Sequence, residues 1–184
     1  MLIVITGTPG TGKTVAARAL AKKLNYDLID VKQIVQQNRI YRMKNSEKEV
    51  DLKKLKKILI REIRAKKNSI IENHLLCEIE LQADFVFVFR CDPKILEKRM
   101  RKRGYKKEKI RENLLAEMLD YCYLKAEKNY LGNPIEVDTS KRSLNNTVNT
   151  IINAIRKNRR KIDNVDYRDQ LRRFVVDNHG RNTG

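Results

Sequence analysis

Gly7, Gly12, Lys13 and Thr14 stand at the spacing G-x-x-x-x-G-K-[ST], within the run Gly7-Thr8-Pro9-Gly10-Thr11-Gly12-Lys13-Thr14. Together these residue types can do one kind of chemistry. Glycines let successive backbone N–H groups point inward and form a nest for anions. A lysine reaches phosphate oxygens with its ammonium, and a threonine hydroxyl offers an oxygen to Mg²⁺. The pattern predicts a phosphate cradle, with Lys13 on the β- and γ-phosphates and Thr14 on the metal.

Such a cradle works only between a strand and a helix, where the helix dipole adds to the N–H nest. Leu2-Ile3-Val4-Ile5 is a short apolar, β-branched run that reads as a buried strand. After the loop, residues 15–24 are alanine-rich with apolar positions at helical spacing. The motif therefore sits in its required context.

Further strands are expected at Tyr26 to Ile29, Ser69 to Glu72, Asp84-flanked Phe85 to Phe89, and Ile135 to Val137. A short helix is expected from Gln33 to Met43, ended by Asn45-Ser46. Asp51 can cap a basic helix from Leu52 to about Lys67, with Leu55, Ile58, Leu59 and Ile63 inward. Asp92-Pro93 starts a helix that Gly104 stops after Arg103. One long helix is expected from Glu108 to about Tyr130, then a turn at Gly132-Asn133-Pro134. Ser143 or Asn145 opens a last core helix through Ile155. Strands alternating with helices predict an α/β fold: three αβα layers around a five-stranded parallel sheet, as in P-loop nucleoside-monophosphate kinases.

The chain's 184 residues suit one domain with a real core. Its 41 Lys and Arg against 23 Asp and Glu give a net charge of +18, which predicts an acidic partner. The opening apolar run is far too short to span a bilayer. Cys77, Cys91 and Cys122 lie far apart with no CxxC pair, so they read as buried free thiols in a reducing compartment. A cytoplasmic protein without a membrane partner is expected.

No N/T-K-x-D element is present for reading guanine, and a large ATPase needs more chain. A small kinase remains, which needs an arginine-bearing lid to offset charge in phosphoryl transfer and exclude water. Residues 99–107 (RMRKRGYKK) offer one, with Arg99 and Arg103 on one helical face and Gly104 as a joint. A solvated basic helix end would carry the same residues.

The Thr6-to-Thr14 loop, Ile29-Asp30-Val31, Glu72-Asn73-His74, Phe87-Val88-Phe89-Arg90, Arg103-Gly104-Tyr105 and Thr139-Ser140-Lys141 together resemble the atypical adenylate kinase isoenzyme 6 family of eukaryotes and archaea. The resemblance runs over about residues 1–156. It implies ATP and Mg²⁺ binding, adenylate kinase activity (ATP + AMP to two ADP) and ATPase activity. It also implies a role in maturing the small ribosomal subunit, through a ribosomal protein of its platform and rRNA. Carried over, Gly10, Thr11, Gly12, Lys13, Thr14 and Val15 would hold ATP. Arg103 would reach its phosphates from a lid of about 102–112, and Lys141 would line the adenine pocket. Residues 30–50, with Asp30, would form the monophosphate-binding segment.

Two positions depart from the family. Glu72 stands where an aspartate commonly does; it would organise Mg²⁺ or orient an attacking water, and His74 would position that water or the transfer geometry. Gln36 stands where an arginine commonly grips the AMP phosphate; Arg39 or Arg42 would substitute. The catalytic set expected is thus Lys13, Glu72, His74 and Arg103.

Residues 32–67 carry 13 basic and 4 acidic side chains, and the extension 157–184 is also basic. ATP requires neither excess, so an rRNA backbone or an acidic protein is the expected contact, unless these are simply solvated faces. Leu171, Phe174 and Val175 mark one side of a possible tail helix, which could dock on the core or on a partner. Two other readings stay open: a nucleotide-switched binding module with little kinase activity, and a P-loop kinase of another small acceptor.

Overall fold

Leu2 and Val4 pack into one hydrophobic cluster, Ile3 and Ile5 into another. That period of two is what a strand buried on both faces produces. Ile70 and Ile71 divide the same way, as do Phe85, Phe87 and Phe89 against Val86 and Val88. Each fully buried phenylalanine contributes on the order of 2 kcal/mol of transfer free energy.

The computed structural model describes residues 1–44, 47–130 and 134–179. Its elements begin with β1 (Leu2–Gly7), α1 (Lys13–Leu24), β2 (Asp27–Asp30) and α2 (Val31–Gln37). A hairpin of β3 (Tyr41–Lys44) and β4 (Glu47–Val50) precedes α3 (Leu52–Arg64) and β5 (Ser69–Glu72). A short 3₁₀ helix (His74–Glu78) leads to β6 (Phe85–Arg90), α4 (Pro93–Lys102), α5 (Lys107–Met118) and α6 (Tyr121–Asn129). The chain closes with β7 (Ile135–Asp138), α7 (Leu144–Arg156) and α8 (Arg168–His179).

The five expected strands form one parallel sheet in the order β2-β5-β1-β6-β7. Helices α1 and α7 cover one face; α2, α3, α6 and the 3₁₀ helix cover the other. This is the three-layer αβα architecture. The expected caps are present: Asp51 accepts from Lys54 N (3.0 Å), Asp92 from Lys94 N (2.9 Å) and Ser143 from Asn146 N (3.2 Å). All three cysteines are buried and free. Among the described residues no helix is long and apolar enough to cross a membrane.

Two helices differ from expectation. The one read from Gln33 to Met43 ends at Gln37, and Tyr41 begins a strand. Its end is a Schellman turn: Ile40 N donates to Val35 O, Arg39 N donates to Gln36 O, and Arg39 takes the left-handed conformation (φ 50°). A left-handed arginine gives no sequence signal, because glycine is the usual marker. The long helix read from Glu108 to Tyr130 is two helices, broken at Asp120 (φ 54°). Asp120 turns there to pair with Arg90. The turn expected at Gly132-Asn133 and the break at Asn45-Ser46 lie outside the described residues.

The tail helix docks on the core. Tyr167 is buried, and Leu171 and Phe174 pack with Leu96 and Met100 of α4 and Ile110, Leu114 and Met118 of α5. Val175, expected on the same side, stays exposed.

Candidate functional site

The loop between β1 and α1 wraps the first turn of the helix. Gly12 caps α1 with φ 96°, and a Cβ there would meet nothing within 4 Å, so its need is conformational. Gly7 (φ 129°) has both constraints, since a Cβ would collide with the Phe89 carbonyl. Thr14 and Val15 are exposed on the first turn of α1, whereas Lys13 is buried.

Lys13 Nζ donates to the Thr8 carbonyl at 2.9 Å. The Thr11 hydroxyl donates to the same carbonyl at 2.9 Å, and Thr139 Oγ1 donates to the Thr11 carbonyl at 2.8 Å. Burial pushes the Lys13 pKa down, and the charges of Cys122, Glu72 and Glu117 oppose that shift. An ammonium this poorly solvated gains much from a phosphate.

A cavity of about 480 Å³ opens beside the loop, the size of a small-ligand site. Gly10, Thr11, Gly12, Val15 and Ala16 form one wall, and Phe89, Leu144 and Thr147 give it apolar lining. Arg99, Lys102, Arg103 and Arg142 bring cations to it. An apolar pocket with cationic walls beside a glycine-rich loop at a helix N-terminus can hold a planar base and its phosphates. Arg99 and Arg103 do share this face, but Arg99 is tied down, donating to Thr139 O at 2.7 Å. Arg103 caps α4 and Gly104 (φ 72°) follows; residues 101–108 are all exposed.

On the other side of Lys13, Glu72 ends β5 in register with Ile5 and Asp30. Among the described residues, no cluster of three His, Cys, Asp or Glu could hold an ion alone. Mg²⁺ takes few protein oxygens and completes its octahedron with water and phosphate. The Thr14 hydroxyl and the Glu72 carboxylate are oxygens of that kind at the same end of the sheet, so the residues fit the ion.

His74 begins the 3₁₀ helix, its carbonyl held by the Thr6 hydroxyl at 3.3 Å. Burial, then the charges of Lys13 and Lys109, push its pKa down to about 4. A neutral imidazole at pH 7 can accept a hydrogen bond and orient a water or phosphate group.

Five expected contacts are not gathered here. Asp30 caps α2, accepting from Gln33 N at 2.9 Å, and is exposed. Gln36 and Arg39 are exposed around the end of α2, and Arg42 pairs with Glu49 across the hairpin at 3.2 Å. Lys141 is exposed and outside the cavity lining, where Arg142 stands instead.

The largest group missed is Arg90, 2% exposed. Its Nε donates to Glu117 Oε1 at 2.9 Å, its Nη1 to Glu136 Oε1 at 2.5 Å, and its Nη2 to Asp120. Its guanidinium also lies 5.3 Å from the Tyr167 ring centroid. Burial works against its charge, and Glu117 and Asp120 more than offset that, raising its pKa. An arginine closing a wholly apolar run was the available signal, because a buried charge needs partners.

A family model described as an AAA domain matches residues 3–120. A curated "Putative adenylate kinase" from Methanocaldococcus jannaschii is 36% identical over 173 residues, 92% of this chain and 94% of the relative. One from Thermococcus kodakarensis, bearing the same name, is 37% identical over 169 residues, 91% and 93%. Solved structures share the fold at low identity. A shikimate kinase from Acinetobacter baumannii in complex with shikimate aligns with TM-score 0.61 at 16% identity, covering 86% of this chain and 94% of that one. A deoxyadenosine kinase from M. mycoides with bound dATP aligns with TM-score 0.55 at 15% identity, covering 85% and 100%. With its AAA-type P-loop domain, the chain belongs to the archaeal family whose curated members carry the name "Putative adenylate kinase".

Proposed function

We propose that this chain is a Mg²⁺-dependent phosphotransferase that moves the γ-phosphoryl group of ATP to AMP, giving two ADP, and to water. The observation that carries the reading is the buried Lys13 ammonium, next in sequence to the Gly10–Gly12 wall of the 480 Å³ cavity and near enough to Glu72 and His74 for their charges to interact. A donor nucleotide in the cavity would set its terminal phosphate at that ammonium. The relatives' name supports AMP as the acceptor.

In this reading Gly10, Thr11, Gly12, Lys13, Thr14 and Val15 hold ATP, and Phe89, Leu144 and Thr147 receive its base. Lys13 and Arg103 stabilise the charge on the phosphoryl group in flight. Thr14 and Glu72 would hold Mg²⁺, which supplies charge neutralisation on the phosphates when bound. Neutral His74 orients the acceptor oxygen. Asp30, Gln36, Arg39 and Arg42 would frame the AMP side once that segment closes on it, and Lys141 would need to swing inward to reach the base. The lid is the exposed stretch of about 102–112.

A coupled assay tests this. ATP consumption that accelerates with AMP, yielding two ADP per AMP lost, supports the kinase. Phosphate release indifferent to AMP replaces it with a plain ATPase, and phosphorylation of another small acceptor alone would replace the acceptor.

A second reading adds a macromolecular partner and follows the resemblance to the isoenzyme 6 family. Lys53, Lys54, Lys57, Arg61 and Arg64 are exposed along α3, away from the cavity lining. That cationic face suits rRNA phosphates or an acidic segment of a platform ribosomal protein, in a cytoplasmic assembly role. Pull-down of small-subunit components in the ATP or ADP state would support it; recovery in neither state would remove it.

A further inference from the structure

Glu117 lies on α5, outside the cavity lining, yet it touches the phosphate loop directly. It is 2% exposed. Its Oε1 accepts from Arg90 Nε at 2.9 Å and from Cys91 N at 3.0 Å, and its Oε2 accepts from the Thr8 hydroxyl. Arg90 Nη2 also grips the Glu117 carbonyl at 3.1 Å, so both ends of the residue are fixed. Thr8 in turn carries the carbonyl that accepts from Lys13 Nζ and from the Thr11 hydroxyl, each at 2.9 Å.

We propose that Glu117 is a positioning residue for the phosphate loop: through the Thr8 hydroxyl it fixes the carbonyl that aligns the Lys13 ammonium, and Arg90 holds Glu117 for that task. The inference rests on the nucleotide-binding reading above.

The Thr8 carbonyl lies between a permissive Gly7 and a rigid Pro9. Gly7 and Gly10 bracket Thr8, and both have positive φ. Pro9 confines the backbone of Thr8 to the extended region, and within that region a fixed Thr8 hydroxyl settles how its carbonyl meets Lys13. A buried carboxylate accepting from a side-chain hydroxyl restricts Thr8 through its one χ1 torsion. The ordering is then in place before nucleotide arrives, and binding does not have to supply it.

Arg90 makes the anchor rigid. Its guanidinium is spread over Glu117, Asp120 and Glu136, which belong to α5, the α5–α6 junction and β7. Moving Glu117 away from Thr8 would disturb all three contacts. The opposite end of the loop is fixed separately by Thr139 on the Thr11 carbonyl. The loop is thus held at two points by side chains from outside it, and Glu117 is the charged one.

Thr8→Val separates positioning from structure, because it removes the hydroxyl and leaves the Arg90–Glu117 pair in place. ATP affinity, read by calorimetry on the full chain, should weaken roughly tenfold, the worth of one hydrogen bond to a charged group. Thr8→Ser restores the hydroxyl and should recover most of that affinity. In Thr8→Val/Lys13→Ala the Thr8 change should cost little beyond Lys13→Ala, since both act through one ammonium. Wild-type affinity in Thr8→Val, or full additivity in the double variant, overturns the proposal. Should Thr8→Val not fold, Glu117→Gln decides by the same readout: weakened affinity supports the proposal and unchanged affinity overturns it. A wild-type chain that does not bind ATP fails the underlying reading, and the proposal with it. Wild-type binding with an indifferent Thr8→Val fails the proposal alone.

Discussion

Asp163, in the segment before the tail helix, holds Arg142, a side chain of the cavity wall. Asp163 Oδ1 accepts from Arg142 Nη2 at 2.8 Å, and Oδ2 accepts from Arg142 Nη1 and from Asp138 N, the latter at 2.8 Å. The two side chains are 30% and 18% exposed, so solvent screens the pair only in part. The C-terminal extension therefore shapes the wall beside the phosphate loop as well as packing on α4 and α5. Asp163→Asn keeps the shape and loses the charge. It should weaken ATP binding by roughly threefold to tenfold and lower the unfolding midpoint by about 3 °C, from the loss of about 1 kcal/mol. Titration of ATP followed by thermal unfolding of the same sample checks both.

Lys13→Met should separate function from stability. The ammonium is buried, and burial disfavours its charge. Methionine fills similar volume with no desolvation cost. ATP turnover should fall by a factor of about 100 or more, while the unfolding midpoint holds or rises. A parallel fall in both would mean that the lysine is a structural support.

His74 gives a pH signature to folding. Its pKa in the folded chain is about 4 against an ordinary 6.5. Between those values the unfolded chain binds a proton that the folded chain refuses. Stability therefore falls as pH drops from 6.5 towards 4 and is level, for this group, above 6.5. In metal-free buffer, His74→Asn should lose less of its midpoint between pH 7 and pH 5 than the wild type does. Equal losses would show that burial and the Lys13 and Lys109 charges do not hold the imidazole neutral.

The phosphate loop, all five sheet strands and the helix caps were legible because each is written in adjacent residues. Gly12-Lys13-Thr14, the run Phe85 to Phe89 and Asp92-Pro93 each announce their conformation locally. The hairpin at Tyr41 was not legible, since the residue that ends α2 is a left-handed arginine rather than a glycine. The break at Asp120 was hidden for a different reason. Residues 108–130 have helical spacing throughout, and the bend is imposed by Arg90, 30 positions earlier. Arg142 in the cavity lining, beside the exposed Lys141, gave no sequence signal, because the partner that orients it is Asp163 in the extension. Contacts across long sequence separations decide the last two, and no local pattern encodes them.

Arg90 is the single side chain whose loss should cost most. It neutralises Glu117 and Glu136, which are 2% and 9% exposed, and Asp120 at 37%. Arg90→Met preserves bulk but leaves two buried carboxylates facing each other without a cation. Removing one partner of a buried ionic group typically costs about 3–5 kcal/mol. Here the residual repulsion has a relief route, since carboxylates can take up protons. Glu136 already has its pKa raised by burial, against the pull of Arg90, and losing Arg90 moves it further up. The deficit of Arg90→Met should thus be greatest at neutral pH and shrink as pH falls towards 5. Adding Glu117→Gln should recover part of it, because one of the two buried charges is then gone, while ATP affinity should stay low, since the Thr8 anchor has changed. Urea unfolding of the wild type and the two variants at pH 7 and pH 5 measures the deficit and its recovery, and ATP calorimetry reads the affinity. A deficit independent of pH would assign the cost to packing instead of charge.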